Sequence, residues 1–301
     1  MLVMAYRGFK DFLYSPLTWE NYKRLVLDPY PAVLNCHRIF GVMMGGIDKI
    51  KPFISSISPQ KYLDILNKVD EGKLREIYHS VMAKCMQIIQ PTEEVDVYFM
   101  LSPFMPVSMS LPASGKMNIV LSVAYDIKLI PLVLSHEYGH CIFVPRMAGE
   151  DEIQKFTDEL SEEKFEQLIR KLWFDHPLKW GMINEGFASF FPKLVFPECS
   201  IYDCLWMMPK DAVDWCMNNE RKLKNSIRRS LEERGIEVRR KYMMAGPLAN
   251  PPEGFPRQTM YYVGYRIVEN CLKKASLEKF FSLKIDDIIS VSGYFDKSIS
   301  G

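Results

Sequence analysis

The stretch of this chain richest in chemistry is His136-Glu137-Tyr138-Gly139-His140. Residues four apart on an α-helix project from one face, so two imidazoles at this spacing can bind one ion. Glu137 is turned about 100° from His136, which aims its carboxylate at a water beside the ion rather than at the ion itself. Zinc binds neutral imidazole well and, with an open position, brings the pKa of its water towards ~7. A neighbouring carboxylate can take that proton and later deliver it to a leaving amine. In a chain with five histidines the pattern arises by chance in about one such sequence per hundred. Its setting adds weight: Leu129, Ile130, Leu132, Val133 and Leu134 precede it, and Ile142, Phe143 and Val144 follow. Three ionisable groups in an apolar helix are costly unless something pairs them, and a metal does.

A catalytic metal site of this kind needs a third protein ligand. The extended pattern HExxHxxGxxH fails, because Phe143 and Arg146 stand where Gly and His would be. Downstream, residues 180–191 (WGMINEGFASFF) place Glu185 in an otherwise apolar helix, with Gly186 and Ala188 small enough for close helix contact. A buried carboxylate is disfavoured unless bound to a cation or protonated. The plain alternative is a surface glutamate complementing a helix start. Glu185 is the expected ligand, with His176, Asp175 and Glu150 as rivals; His176, ahead of Pro177, reads more simply as a loop residue. His37 and His79 have no partner at ligand spacing and read as ordinary core or surface histidines. Cys141 points about 100° away from His140 and reads as a small core residue.

Together these motifs resemble the gluzincin metallopeptidases, whose pattern is HExxH plus a glutamate from a later helix. The Asn184-Glu185-Gly186-Phe187-Ala188 context is similar to their third-ligand segment. Residues 261–268 (YYVGYRIV) resemble the Tyr-x-x-Gly-Tyr stretch of an uncharacterised bacterial family of predicted zinc-dependent proteases. The resemblance spans about residues 92–275. It implies an α+β fold with a zincin-like domain, a small sheet packed on the HExxH helix, and a mainly helical remainder. It further implies His136, His140 and Glu185 as Zn2+ ligands, Glu137 as general base, and a peptide or protein substrate. Tyr261 or Tyr265, which share a helical face, would donate a hydrogen bond to the oxyanion, although aromatic packing explains either one equally well. The strand at 117–123 precedes the motif helix as the substrate-aligning edge strand does in the resembled fold.

The elements that must position these residues are readable in outline. Residues 1–91 read as a helical lobe. Ser58-Pro59 opens one helix there, and apolar residues from Leu74 to Ile88 at three- and four-residue steps mark another. Residues 92–301 read as the peptidase domain. Strands are expected at 94–101 and 117–123, joined by a connector carrying Pro103, Pro106, Pro112 and Gly115. The motif helix should start near Asp126 or a turn later and stop before Pro145. A charged, amphipathic, exposed helical insertion follows at 149–177. A helix over 180–191, one long helix over 209–234 stopped by Gly235, a loop over 247–256 and a helix over 259–274 complete the chain.

Composition excludes several classes. Of the 301 residues, 48% are hydrophobic and 25% charged, enough apolar surface to offset ordering entropy. A net charge of +1 offers no field for gripping phosphate backbones, so no nucleic-acid partner is expected. The basic run Arg221, Lys222, Lys224, Arg228, Arg229 reads as a solvated helix face, and the 18 methionines read as core filler. Seven cysteines, an odd number without CxxC pairs, suit reduced thiols and a cytoplasmic setting. No stretch approaches the roughly 18 apolar residues of a membrane span, and the first residues lack a signal peptide's apolar core. The sequence leaves the oligomeric state open. The leading expectation is a zinc peptidase. Its rivals are a catalytically silent zincin-like module that binds peptides or proteins, and a metal-assisted hydrolase of a non-peptide amide or ester.

Overall fold

The computed structural model describes residues 1–103 and 108–296, with the side chains of Ile47 and Pro247 left aside. The fold is α+β: many helices and one small mixed sheet. Contacts divide the chain into two compact units, Met1–Ile169 and Arg170–Gly301, a boundary that falls inside the charged segment 149–177.

The first unit holds the sheet, with strands β1 (Leu2–Val3), β2 (Asp96–Met100), β3 (Ser108–Ala113) and β4 (Lys116–Ser122). Their spatial order is β1-β2-β4-β3. β2 pairs in parallel with both β1 and β4, while β3 runs antiparallel to β4. Every residue of β2 is buried, as is β4 from Met117 to Ser122, so both sheet faces are covered. Helices α1 (Tyr6–Leu13), α2 (Pro31–Met44) and α4 (Ile130–Ala148) supply most of that cover, and α3 (Glu71–Ile88) packs on α4.

One sequence expectation is corrected here. The connector between the expected strands contains β3, and β4 is therefore internal; β3 takes the edge. Pro112 argued against a strand because it has no N–H for a ladder. The structure places it on the outer side of an edge strand, where its carbonyl accepts from Asn35 Nδ2 at 3.0 Å. Ser114 (φ 52°) and Gly115 (φ 75°) form the two-residue turn from β3 to β4, with the left-handed backbone that matches hairpin twist.

The motif helix also runs further than expected. α4 continues through Pro145 to Ala148. A proline inside a helix costs about 3 kcal/mol. Here Ile142, Phe143, Val144 and Pro145 itself are buried, so packing offsets the lost backbone bond. Two contacts pin α4 to the end of α3: Tyr138 Oη donates to the Ile89 carbonyl at 2.8 Å, and Arg146 to the Gln90 carbonyl at 2.7 Å. The first satisfies a C-cap carbonyl that the helix end leaves open, and the second the carbonyl of the residue after it.

The second unit is helical, built on α5 (Leu178–Val195), α6 (Lys210–Asn218), α7 (Glu220–Ser230), α8 (Thr259–Leu272) and α9 (Ile285–Ser292). The long helix expected over 209–234 is two, broken at Asn219. That residue's Nδ2 donates back to the Trp215 carbonyl at 2.9 Å, a local bond that competes with helix continuation. Gly235 (φ 88°) precedes a further short helix, Ile236–Tyr242, instead of ending a long one. The segment 149–175 forms short helices at Glu150–Gln154 and Glu162–Ile169, with Phe156, Phe165, Leu168, Ile169 and Leu172 buried. Among the described residues no helix is long and apolar enough to cross a membrane.

Candidate metal centre

α4 is buried at every position from Ser135 to Pro145. A helix that is apolar nearly all round belongs in an interior, and burial carries the ionisable residues of the motif inward with it. His136 is 3% exposed, Glu137 4% and His140 9%. The two imidazoles stand edge to face, with ring centroids 4.9 Å apart and planes at 82°. Burial, with His140 alongside, holds His136 well below the ordinary imidazole value. The ring is therefore neutral at neutral pH, the form a metal requires.

α5 is the equivalent helix of the second unit, buried continuously from Trp180 to Pro192. Its position is set at two points. Its first-turn N–H groups donate to the second unit's own backbone: Leu178 to the Glu233 carbonyl at 2.8 Å and Lys179 to that of Leu231 at 3.1 Å. Further along, Gly186 meets Gly264 of α8 backbone to backbone, and a Cβ on either would overlap the other helix. The glycine after Glu185 thus has a packing reason: it lets α5 lie against α8 at a distance no side chain allows.

The structure brings His136, His140 and Glu185 together. One ligand atom from each lies within 4.8 Å of the others, and all three residues are buried. The donor set is chemically apt for a divalent transition ion. Two imidazoles and one carboxylate make three ligands with a fourth position left over, and burying such groups together is costly without a cation. The rival ligands fall outside the group. His176 stacks on Trp180, centroids 4.6 Å apart, and its carbonyl accepts from Arg239. The Asp175 carbonyl accepts from Arg234, and Glu150 is exposed in the first turn of its short helix. His37 is a core histidine with its ring bonded to Tyr22 and Val33, while His79 is exposed.

Glu137 meets a residue that the sequence reading missed. Ser110 of β3 places its hydroxyl 2.7 Å from Glu137 Oε2 and 2.6 Å from the Glu137 carbonyl oxygen. Two buried thiols are close by. Cys36 of α2 is pushed up to about 12 by burial and by the charge of Glu137. Cys141 is raised for the same reasons, partly offset by the Ser110 hydroxyl. Both stay protonated and act as small core groups.

Of the two tyrosines, Tyr265 is buried with its ring against Phe190 at 5.4 Å, and burial pushes its hydroxyl above the ordinary phenol value. Tyr261 is half-buried in the first turn of α8. No family model, curated protein or solved structure matches the chain.

Proposed function

We propose that this chain is a zinc-dependent peptidase with a zincin-like catalytic fold of the gluzincin kind. The observation that carries the reading is the convergence of the His136–His140 pair with Glu185, far along the sequence, into one buried donor set with Glu137 adjacent in the chain. Zinc is the preferred ion because two imidazoles and a carboxylate with one open position are its usual catalytic set. Bound there, it would supply Lewis acidity and an acidified water. His136, His140 and Glu185 would hold it.

The rest of the reading concerns the chain's own groups. Glu137 takes a proton from the attacking water and returns it to the leaving amine. β3, an edge strand, offers main-chain groups to an extended peptide, the β-addition mode of recognition. A tyrosine of α8 donates to the developing oxyanion. The buried centre gives these groups a low-dielectric setting, in which each interaction is stronger than in water.

The test compares wild type with Glu137→Gln on a quenched fluorescent peptide library, with zinc measured on both proteins. The expected result is hydrolysis by wild type, none by the variant, and equal zinc. A zinc-loaded wild type that binds library peptides and cleaves none supports the silent module instead. Cleavage of small esters or amides, and never of peptides, would move the activity to non-peptide substrates.

A further inference from the structure

Ser110 lies in the middle of the edge strand and is 6% exposed. Its side chain reaches across 27 positions of sequence to the one carboxylate of the motif helix that the metal group does not use. A serine hydroxyl carries a single proton. With the Glu137 carboxylate at 2.7 Å and the Glu137 carbonyl at 2.6 Å, it donates to one of them at a time. The ionised carboxylate is the stronger acceptor.

What this contact does follows from the glutamate's freedom. A glutamate side chain has several rotatable bonds, and holding it in one conformer costs rotamer entropy. A reacting group misplaced by about an ångström costs on the order of 100-fold in rate. A base needs its carboxylate held, and a hydroxyl on a paired strand is well suited to hold it. The strand is held in register at this point. The turn Ser114-Gly115 closes the hairpin on the pair Ala113 and Lys116, and Ser110 stands opposite Ile119 in the same register. By the alternation of an antiparallel ladder, Ser110 is then a position whose own N–H and C=O point away from β4, towards the outer edge. The same residue offers main chain to the outer edge and side chain to Glu137.

We propose that Ser110 is a positioning residue for Glu137, its hydroxyl fixing the orientation of the base from the edge strand. The inference rests on the reading of Glu137 as general base. A purely structural tie between β3 and α4 would be served by the Glu137 carbonyl alone; the bond to the carboxylate is what a positioning role adds.

The experiment uses wild type, Ser110→Ala, Glu137→Gln and the double variant, with two readouts. The first is steady-state hydrolysis of the peptide library with zinc content measured in parallel. Ser110→Ala is expected to keep wild-type zinc and KM while kcat falls about 10- to 100-fold, the worth of one hydrogen bond to a charged group. Ser110→Thr should restore most of the loss, and Ser110→Ala should add nothing once Glu137 is glutamine. The second readout is urea unfolding of the metal-free proteins. There Ser110→Ala should shift the unfolding constant more in the wild-type background than in the Glu137→Gln background. Equal shifts in the two backgrounds, or an unchanged kcat in Ser110→Ala beside an inactive Glu137→Gln, overturn the proposal. Should the alanine variant fold poorly, Ser110→Cys keeps the volume with a weak donor, and the same kcat loss is expected of it. A wild type that cleaves no peptide brings down the peptidase reading and this inference with it, whereas equal shifts in urea bring down this inference alone.

Discussion

Gly186 and Gly264 meet at the crossing of α5 and α8, where a Cβ on Gly264 would stand 2.8 Å from the Gly186 Cα and closer still to the Met182 carbonyl oxygen. Neither backbone can yield cheaply, since both belong to helices buried on most sides. The crossing sits one residue from Glu185, so it bears on the placement of a candidate metal ligand as well as on a helix packing distance. Gly186→Ala and Gly264→Ala should each destabilise the protein by about 1–3 kcal/mol, the usual cost of overpacking. Because the helix must shift to admit the methyl group, zinc affinity should fall with stability. Calorimetric unfolding and a zinc titration on the same samples check both. A variant that loses stability and keeps full zinc affinity would show that the crossing does not position Glu185.

The donor set predicts a separation between ligands and base. His140→Ala and Glu185→Ala should each purify without stoichiometric zinc, whereas Glu137→Gln should retain it. Removing zinc from the wild type with a chelator should lower the unfolding temperature, since an ion bound only to the folded state stabilises it by mass action. The same chelator should leave the unfolding temperature of Glu185→Ala unchanged. Elemental analysis and thermal unfolding decide this, and a wild type with no affinity for zinc under non-chelating conditions refutes the metal centre outright.

Much of this centre was legible in the sequence for one physical reason: charge inside an apolar helix is rare enough to stand out. That reasoning singled out His136, His140 and Glu185, which the structure gathers. It could not find Ser110, because a serine in a proline-rich connector has no periodicity and its partner lies 27 residues away. Pro112 hid β3 for the same local reason, and with it the identity of the sheet edge. Helix ends were misread where a local signal lost to packing or to a side chain. Pro145 stays inside α4 because its surroundings are buried, and Asn219 breaks 209–234 through a back-bond that no pattern announces. The sheet partner β1, two residues long, gave no pattern at all.

His37 supplies a pH prediction. Its Nδ1–H donates to the Val33 carbonyl at 2.8 Å, leaving Nε2 to accept from Tyr22 Oη at 2.7 Å. Burial lowers its pKa from 6.5 to about 4, so the ring is neutral in the folded protein. Between pH 6.5 and 4 the unfolded chain therefore binds the extra proton, and stability falls as the pH drops through that window. The full loss is about 3 kcal/mol, with nothing lost above pH 6.5. In His37→Gln this contribution is absent, so its stability should fall less steeply over the same range. Urea unfolding of both proteins from pH 7 to pH 4 measures the difference, and parallel curves would show that His37 does not titrate as its burial requires.

The two tyrosines of α8 make opposite predictions although they lie on one helical face. Tyr265 is buried with its ring packed on Phe190, so its role in the structure is a core one. Tyr265→Phe keeps that ring packing and should leave zinc content and kcat close to wild type. Tyr261, half-buried, is the better candidate for the oxyanion donor. Removing such a donor costs roughly 100- to 1,000-fold in kcat with KM little changed, because the bond strengthens only as charge develops. Tyr261→Phe should show that loss with zinc retained. The comparison is made on the peptide substrate that wild type cleaves fastest. An unchanged kcat in Tyr261→Phe would return both tyrosines to packing and leave oxyanion stabilisation to the ion.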